Sequence, residues 1–210
     1  MADMLNDAQA TVATGKKNAR KEAIIRAAAD LFARDGVKKT SIAKLMDKAQ
    51  LTRELFYYYF KDKDELIAAV MDLYLEDLFQ VIDDWVAKTE KVADPNSDFM
   101  SQIVLIVQGV RYIFSGDNGP FADRNAAVLE SGHATDVSRR TMRHFVNALL
   151  ATKGYQSYAK VHGKLTPLHY ELALTGAAGL IVSYPELSDE EIAVALHAAM
   201  RGGWREGPVQ

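Results

Sequence analysis

The feature that most constrains this chain is a helical spacing of apolar residues that recurs from one end to the other. Ile24, Ala28, Leu31 and Phe32 mark one face of a helix between residues 20 and 34, and Asp35-Gly36 ends it. Thr40 and Ser41 offer N-cap hydroxyls to a short amphipathic helix carrying Ile42, Leu45, Met46 and Ala49. After the turn Gln50-Leu51-Thr52, a third helix with Thr52 at its cap runs to about Phe60. Asp62 and Glu65 form a capping-box pattern that opens a long helix striped by Leu66, Val70, Tyr74, Phe79, Ile82 and Trp85. Further helices are expected over 97–114, 121–131 and 136–152, then from Thr166-Pro167, and last from Ser188 with Glu191 to Gly202-Gly203. Breaks fall at Asp94-Pro95-Asn96, at 116–120 and at Lys153-Gly154. No run alternates at period two between hairpin turns, so the expectation is an all-α chain of about nine helices.

A chain of 210 residues can bury a real core, and with no cysteine it has neither a disulfide framework nor a thiolate metal site. Residues 1–20 mix polar and charged types without an apolar run, which reads as a disordered tail (1–18) rather than a signal peptide. No stretch is long and apolar enough to span a membrane, and a cytoplasmic location is expected. The net charge of -3 hides a division by region. Residues 1–63 hold 13 Lys and Arg against 8 Asp and Glu, while the remainder holds 12 against 20. A basic N-terminal third on an acidic body is the electrostatic footprint of a DNA reader joined to a domain with another task.

Two short helices joined by a tight turn, the second rich in hydroxyls and cations, are what a helix-turn-helix requires. Thr52, Arg53, Tyr57, Tyr58, Tyr59, Lys61 and Lys63 are groups that bind phosphate oxygens. Leu51, Leu55 or Phe56, and Phe60 are left to supply the inward packing. Three consecutive tyrosines span most of a helical turn, so some must be exposed.

The run Thr40-Ser41-Ile42-Ala43, followed by Leu55-Phe56-Tyr57-Tyr58-Tyr59-Phe60-Lys61-Asp62-Lys63-Asp64-Glu65-Leu66, resembles the TetR (tetracycline-repressor) family over about the first seventy residues. The resemblance implies a three-helix DNA-binding domain over 19–65 and a helical ligand-binding and dimerisation domain over 66–205. It places Arg53, Glu54 and Leu55 where the family reads bases, and Tyr57, Tyr59 and Lys63 where it holds phosphates. Ser41 and Lys44 stand where the family adds contacts from the preceding helix. Two positions depart from the pattern. Gln50 replaces the usual turn glycine, which implies a different turn, and Glu54 replaces a small residue, bringing a carboxylate that can accept from a cytosine amino group.

The same resemblance implies a homodimer on a palindromic double-stranded operator, with repression relieved by a small molecule. Leu168, Leu172, Gly176 and Leu180, with Ile192, Leu196 and Met200, are the candidate dimer interface. The small residues Ala173, Gly176, Ala177 and Gly179 would permit close helix approach. Trp85, Arg111, Tyr112, Phe114, Glu130, His133, His144 and Tyr170 combine aromatic and polar groups in the way small-molecule pockets do and are the candidate ligand contacts. No cofactor, metal site or catalytic residue is expected. The chain carries no H-E-x-x-H motif, phosphate-binding glycine loop, nucleophile elbow or cysteine nucleophile. The alternative reading is an all-helical small-molecule-binding protein or enzyme whose N-terminal helices do not read DNA.

Overall fold

The computed structural model describes residues 2–92, 99–114, 122–153, 156, 160 and 166–202, with side chains in the first helix from residue 18 onward. Among them are nine helices and no strand. In chain order they are α1 (Ala2–Asp35), α2 (Ile42–Lys48), α3 (Arg53–Tyr59), α4 (Lys63–Val92), α5 (Phe99–Phe114), α6 (Ala122–Glu130), α7 (Ala134–Leu150), α8 (Thr166–Ser183) and α9 (Asp189–Gly202). The breaks expected at 94–96 and 116–120, along with Phe121, Gly154 and Gly203, lie outside the described residues. No helix among the described residues is long and apolar enough to cross a membrane.

The main departure is at the start of the chain. Residues 2–18, expected to be a disordered tail, continue α1 as helix. The segment contains no proline and holds four alanines, and it extends a helix that residues 20–35 have already nucleated.

The chain divides into two compact units. One comprises Met1–Tyr74 with Asp123–Val137, the other Leu75–Ala122 with Ser138–Gln210. In the first, α1 contacts α2 and α2 contacts α3. Its buried side chains are those of the helical stripe: Ile24, Ala28, Leu31 and Phe32, then Leu45, Met46, Phe56, Phe60, Leu66 and Val70. The α1–α2 connection closes through Gly36 at φ 85, a left-handed position. Buried Thr40 donates its hydroxyl to the Gly36 carbonyl at 2.8 Å, while Ser41 alone caps α2, accepting from the Lys44 amide at 3.3 Å. Tyr74 closes the unit by donating to the Ala29 carbonyl at 2.7 Å, and burial pushes its phenol up to about 12.

The second unit is built on α5, which packs against α8 and α9. Ile103, Val107 and Val110 are fully buried there, with Leu174 and Ala177 of α8 and Ile192 and Ala193 of α9 in the same cluster. Arg111 ties the α8–α9 turn to α5, donating to the Asp189 carboxylate at 2.6 Å and the Leu187 carbonyl at 2.7 Å. The Ser188–Glu191 capping box forms reciprocally: the Ser188 amide donates to the Glu191 carboxylate, and the Glu191 amide to the Ser188 hydroxyl.

Gly109 on α5 is the tightest point of this core. A Cβ there would lie 2.7 Å from Trp85 and 2.8 Å from Phe145, whose rings meet edge to face at 5.6 Å. Gly109→Ala must push two aromatic rings aside, and is expected to cost about 1–3 kcal/mol despite the better helix propensity of alanine. A thermal midpoint equal to or above that of the parent chain would refute this packing.

Candidate nucleic-acid interface

Helix α3 has only seven residues and is held at both ends from outside. Phe56 and Phe60 are fully buried, with ring centroids 5.7 Å apart, and the Phe60 amide closes the helix on the Phe56 carbonyl. With that face inward, Thr52, Arg53, Glu54, Tyr57 and Tyr58 are exposed, while Leu55 and Tyr59 are half-buried. Tyr57 and Tyr58 keep 53% and 63% of their surface, large for aromatic side chains in a folded domain. Tyr59 meets the Tyr58 ring edge to face at 4.9 Å.

Thr52 stands at the N-cap of α3 with extended backbone, but its hydroxyl does not accept from a helix amide. Glu54 takes that place. Its own backbone amide and the Thr52 hydroxyl hold its carboxyl below the ordinary value, so a negative charge sits folded against the start of the helix.

The cations fall into two groups. Arg53 and Lys61 are exposed on and just beyond α3. Lys44 and Lys63 are engaged within the fold. The Lys44 ammonium meets Asp35 at 2.8 Å, and Lys63 donates to the Val37 carbonyl at 2.5 Å and lies 5.9 Å from the centre of the Phe32 ring. Burial pushes Lys63 below its ordinary value. Lys48 on α2 pairs with Asp30 on α1 at 3.1 Å. Lys61 donates its amide to Glu65, and Asp62 accepts from the Glu65 amide, which opens α4 as the capping pattern led one to expect.

Residues 24–70, which contain this arrangement, match the family model of bacterial regulatory proteins of the tetR family. Residues 24–70 thus share the sequence pattern of that family's N-terminal domain. No curated protein sequence matches it. Among solved structures, a putative TetR-family transcriptional regulator from Mesorhizobium loti is 15% identical with a TM-score of 0.54, over 89% of this chain and 95% of that one. A TetR-family transcriptional regulator from Pectobacterium atrosepticum is 18% identical with a TM-score of 0.57, over 93% and 97%. RolR, solved in complex with the ligand resorcinol, is 19% identical with a TM-score of 0.57, over 89% of each chain. At these identities the likeness is one of fold.

The TetR-type turn survives the loss of its glycine. Gln50 has φ 55, so the left-handed conformation is kept and a side chain endures it, contrary to the expectation of a different turn. The Gln50 amide bonded to Asp47 and the Leu51 amide bonded to Met46 hold the backbone there.

The candidate ligand residues are distributed over both units. Glu130 and His133 belong to the first unit and the other six to the second. Glu130 lies against the α1–α2 turn, accepting from the Lys38 amide at 3.3 Å, and a Cβ at Gly36 would come within 2.8 Å of its carboxylate. Arg111 is the tie to Asp189 and Trp85 packs over Gly109, both structural positions. Tyr112 is exposed. His144 stacks on Phe79 at 4.0 Å and bonds Asp83 at 2.8 Å. Buried Tyr170 donates to Gln102 at 3.3 Å. The side chain of Phe114 lies outside the described residues. A cleft of about 390 Å³ opens elsewhere in the first unit, beside Asp30, Arg34, Tyr74, Asp123 and Arg124, and none of the eight candidates lines it.

The dimer set divides as well. Ile192 and Leu196 are buried within the chain, and Leu196 sits 2.6 Å from where a Cβ on Gly176 would be, so Gly176 serves the α8–α9 contact within the chain. Leu180 packs partly on the same core. Leu168 and Leu172 remain exposed, at 60% and 56%, and the Met200 side chain lies outside the described residues. Sequence periodicity named both faces of α8 at once and had no means of separating them.

Two outcomes are expected. Gln50→Gly removes the side chain from a left-handed residue and Gln50→Val puts a β-branched one there, so Gly should exceed Val in unfolding free energy by at least ~1 kcal/mol; equality would mean that the turn is not left-handed. Hydrogen bonds from Arg34 and Lys44 hold the Asp35 carboxyl well below its ordinary 3.8, so its ionised form adds stability above that pH and loses it as pH falls. Asp35→Asn should therefore melt below the parent chain at neutral pH, with the gap shrinking as pH drops below 3.8. A gap independent of pH would refute the pairing.

Proposed function

We propose that this protein is a sequence-specific transcriptional regulator of the cytoplasm that binds a palindromic operator as a homodimer and represses until a small molecule releases it. The observation that carries the reading is α3 itself. Two buried phenylalanines anchor a helix whose outer face presents Arg53, Glu54, Tyr57 and Tyr58, within a segment matching the tetR family model. That surface combines a guanine-seeking guanidinium, a carboxylate suited to the cytosine amino group, and phenols suited to phosphate. Arg53 and Glu54 read bases, while Tyr57, Tyr58 and Lys61 fix the register on the backbone.

The dimer reading is supported by an apolar face that the described residues leave exposed. Leu168, Leu172 and Val182 of α8 and Val194 of α9 are each more than half exposed. Helices that present leucine and valine to water in this way fit a second copy related by a two-fold axis, which would place two recognition helices on two half-sites. Ligand response is supported by the fold shared with RolR, which holds resorcinol. A ligand acts only by favouring one arrangement of the two reading heads over the other, because equal affinity for both shifts nothing.

The experiment is selection of the full-length protein on a pool of random duplexes at near-physiological salt, followed by sequencing. Enrichment of an inverted repeat is expected. Arg53→Ala should then relax discrimination at one position of each half-site, at a cost of about 1–3 kcal/mol there. Retention that is sensitive to salt but selects no sequence would overturn the regulator reading.

A further inference from the structure

The cleft of the first unit serves neither the surface of α3 nor the packing beneath it. Its lining comes from three helices: Ala29, Asp30, Ala33 and Arg34 of α1, Tyr74 of α4, and Asp123 and Arg124 in the first turn of α6. Ala29 and Ala33 stand one turn apart on the same face of α1 and contribute only methyl groups, which leaves room that larger side chains would fill. Buried Tyr74 is pinned beside them by its bond to the Ala29 carbonyl at 2.7 Å. A volume of about 390 Å³ falls in the range of small-molecule sites.

The four charged groups of the lining sum to zero. Arg34 pairs outside the set, with Asp35, through Nε and Nη2 at 3.0 and 2.8 Å, so that pair does not use its Nη1 donors. Asp30 also pairs outside it, with Lys48 at 3.1 Å through one carboxylate oxygen. The Arg124 guanidinium lies 4.9 Å from the centre of the Tyr74 ring. The Tyr74 phenol registers the group as a whole: burial pushes it up to about 12, Arg124 acts against that rise, and Asp123 and Asp30 add to it. Charges of both signs thus gather round one buried aromatic side chain. A ligand with a single charge would meet two like charges there whatever its sign, whereas one that carries both can set each against its opposite.

We propose that this cleft is a binding site for a small zwitterion, an α-amino acid with an apolar side chain. Arg34 and Arg124 take its carboxylate, Asp30 and Asp123 take its ammonium, and its side chain lies on Ala29, Ala33 and the Tyr74 ring. A guanidinium offers the paired donors that a carboxylate accepts, and an ammonium offers three donors to share between carboxylates. The inference goes beyond the operator reading and does not rest on it, because the site is defined by its own lining and its test uses no DNA.

The test is calorimetric titration of the full-length protein with L-phenylalanine and with L-leucine. Each is set against two analogues that lack one of the charges: hydrocinnamate and phenethylamine for the first, isocaproate and isoamylamine for the second. At least one amino acid should saturate a site with a Kd of ~1 mM or tighter, and both of its analogues should bind at least ~10-fold more weakly. Ala33→Leu, which fills the cleft, should abolish binding. Arg124→Gln and Asp123→Asn should each weaken it at least ~10-fold, and they decide the matter if Ala33→Leu melts early. Saturation by neither amino acid overturns the proposal. So does an analogue that binds as tightly as its parent, which would refute the zwitterion, and so does binding that all three substitutions leave unchanged, which would put the site elsewhere in the chain.

Discussion

A seven-residue helix has no stability of its own in water, because the cost of nucleation is never recovered over so few residues. Everything that α3 can do with DNA therefore depends on the burial of Phe56 and Phe60, which convert a marginal helix into a fixed one. The arrangement explains why the flanking turns carry so many constraints. Gln50 endures a left-handed backbone, Glu54 folds its carboxylate against the start of the helix, and Phe60 closes the far end. Each removes freedom that a short element could not otherwise lose, and a base-reading side chain is only as well placed as the backbone that bears it.

The same need for rigidity accounts for the acids in an otherwise basic domain. Asp30 and Asp35 on α1 draw Lys48 and Lys44 of α2 against α1, and Glu130 of α6 receives the Lys38 amide at the α1–α2 turn. Exposed pairs of this kind add little stability one at a time. They do direct where the cations stand. A lysine held by a carboxylate on the neighbouring helix has lost much of its freedom to reach for a phosphate, so net charge by region overstates the charge available to a partner. Lys63 makes the point without an acid, since its ammonium lies against a carbonyl and an aromatic ring.

Much of the fold was legible because its signals are local. The apolar stripe, the Ser188–Glu191 and Asp62–Glu65 pairs and the Asp35-Gly36 stop each act within one turn of helix, and each appears where the spacing put it. The α3 surface was legible for the same reason: once Phe56 and Phe60 face inward, the exposure of Tyr57 and Tyr58 follows from helix geometry. What escaped the sequence depends on residues far apart in the chain. Glu130 and Lys38 are 92 positions apart and Arg111 and Asp189 are 78, and a search for polar residues near aromatics cannot distinguish a ligand contact from a structural tie. The helical start of α1 escaped for another reason, since polar composition speaks to the absence of a core and not to the absence of a helix.

Helices α8 and α9 show how far periodicity can be pressed. A helix apolar on two faces produces no clean stripe, and both the intrachain and the exposed positions then look like interface. The structure separates them by size. Gly176 stands where Leu196 must fit, which marks a contact made within the chain, whereas Gly179 has open space before it and lies between exposed Leu172 and Val182. One face of α8 is thus shaped for α9, and the other presents leucine and valine to water around a glycine with nothing against it. Burial of that second face by another copy would remove apolar surface that gains nothing from solvent.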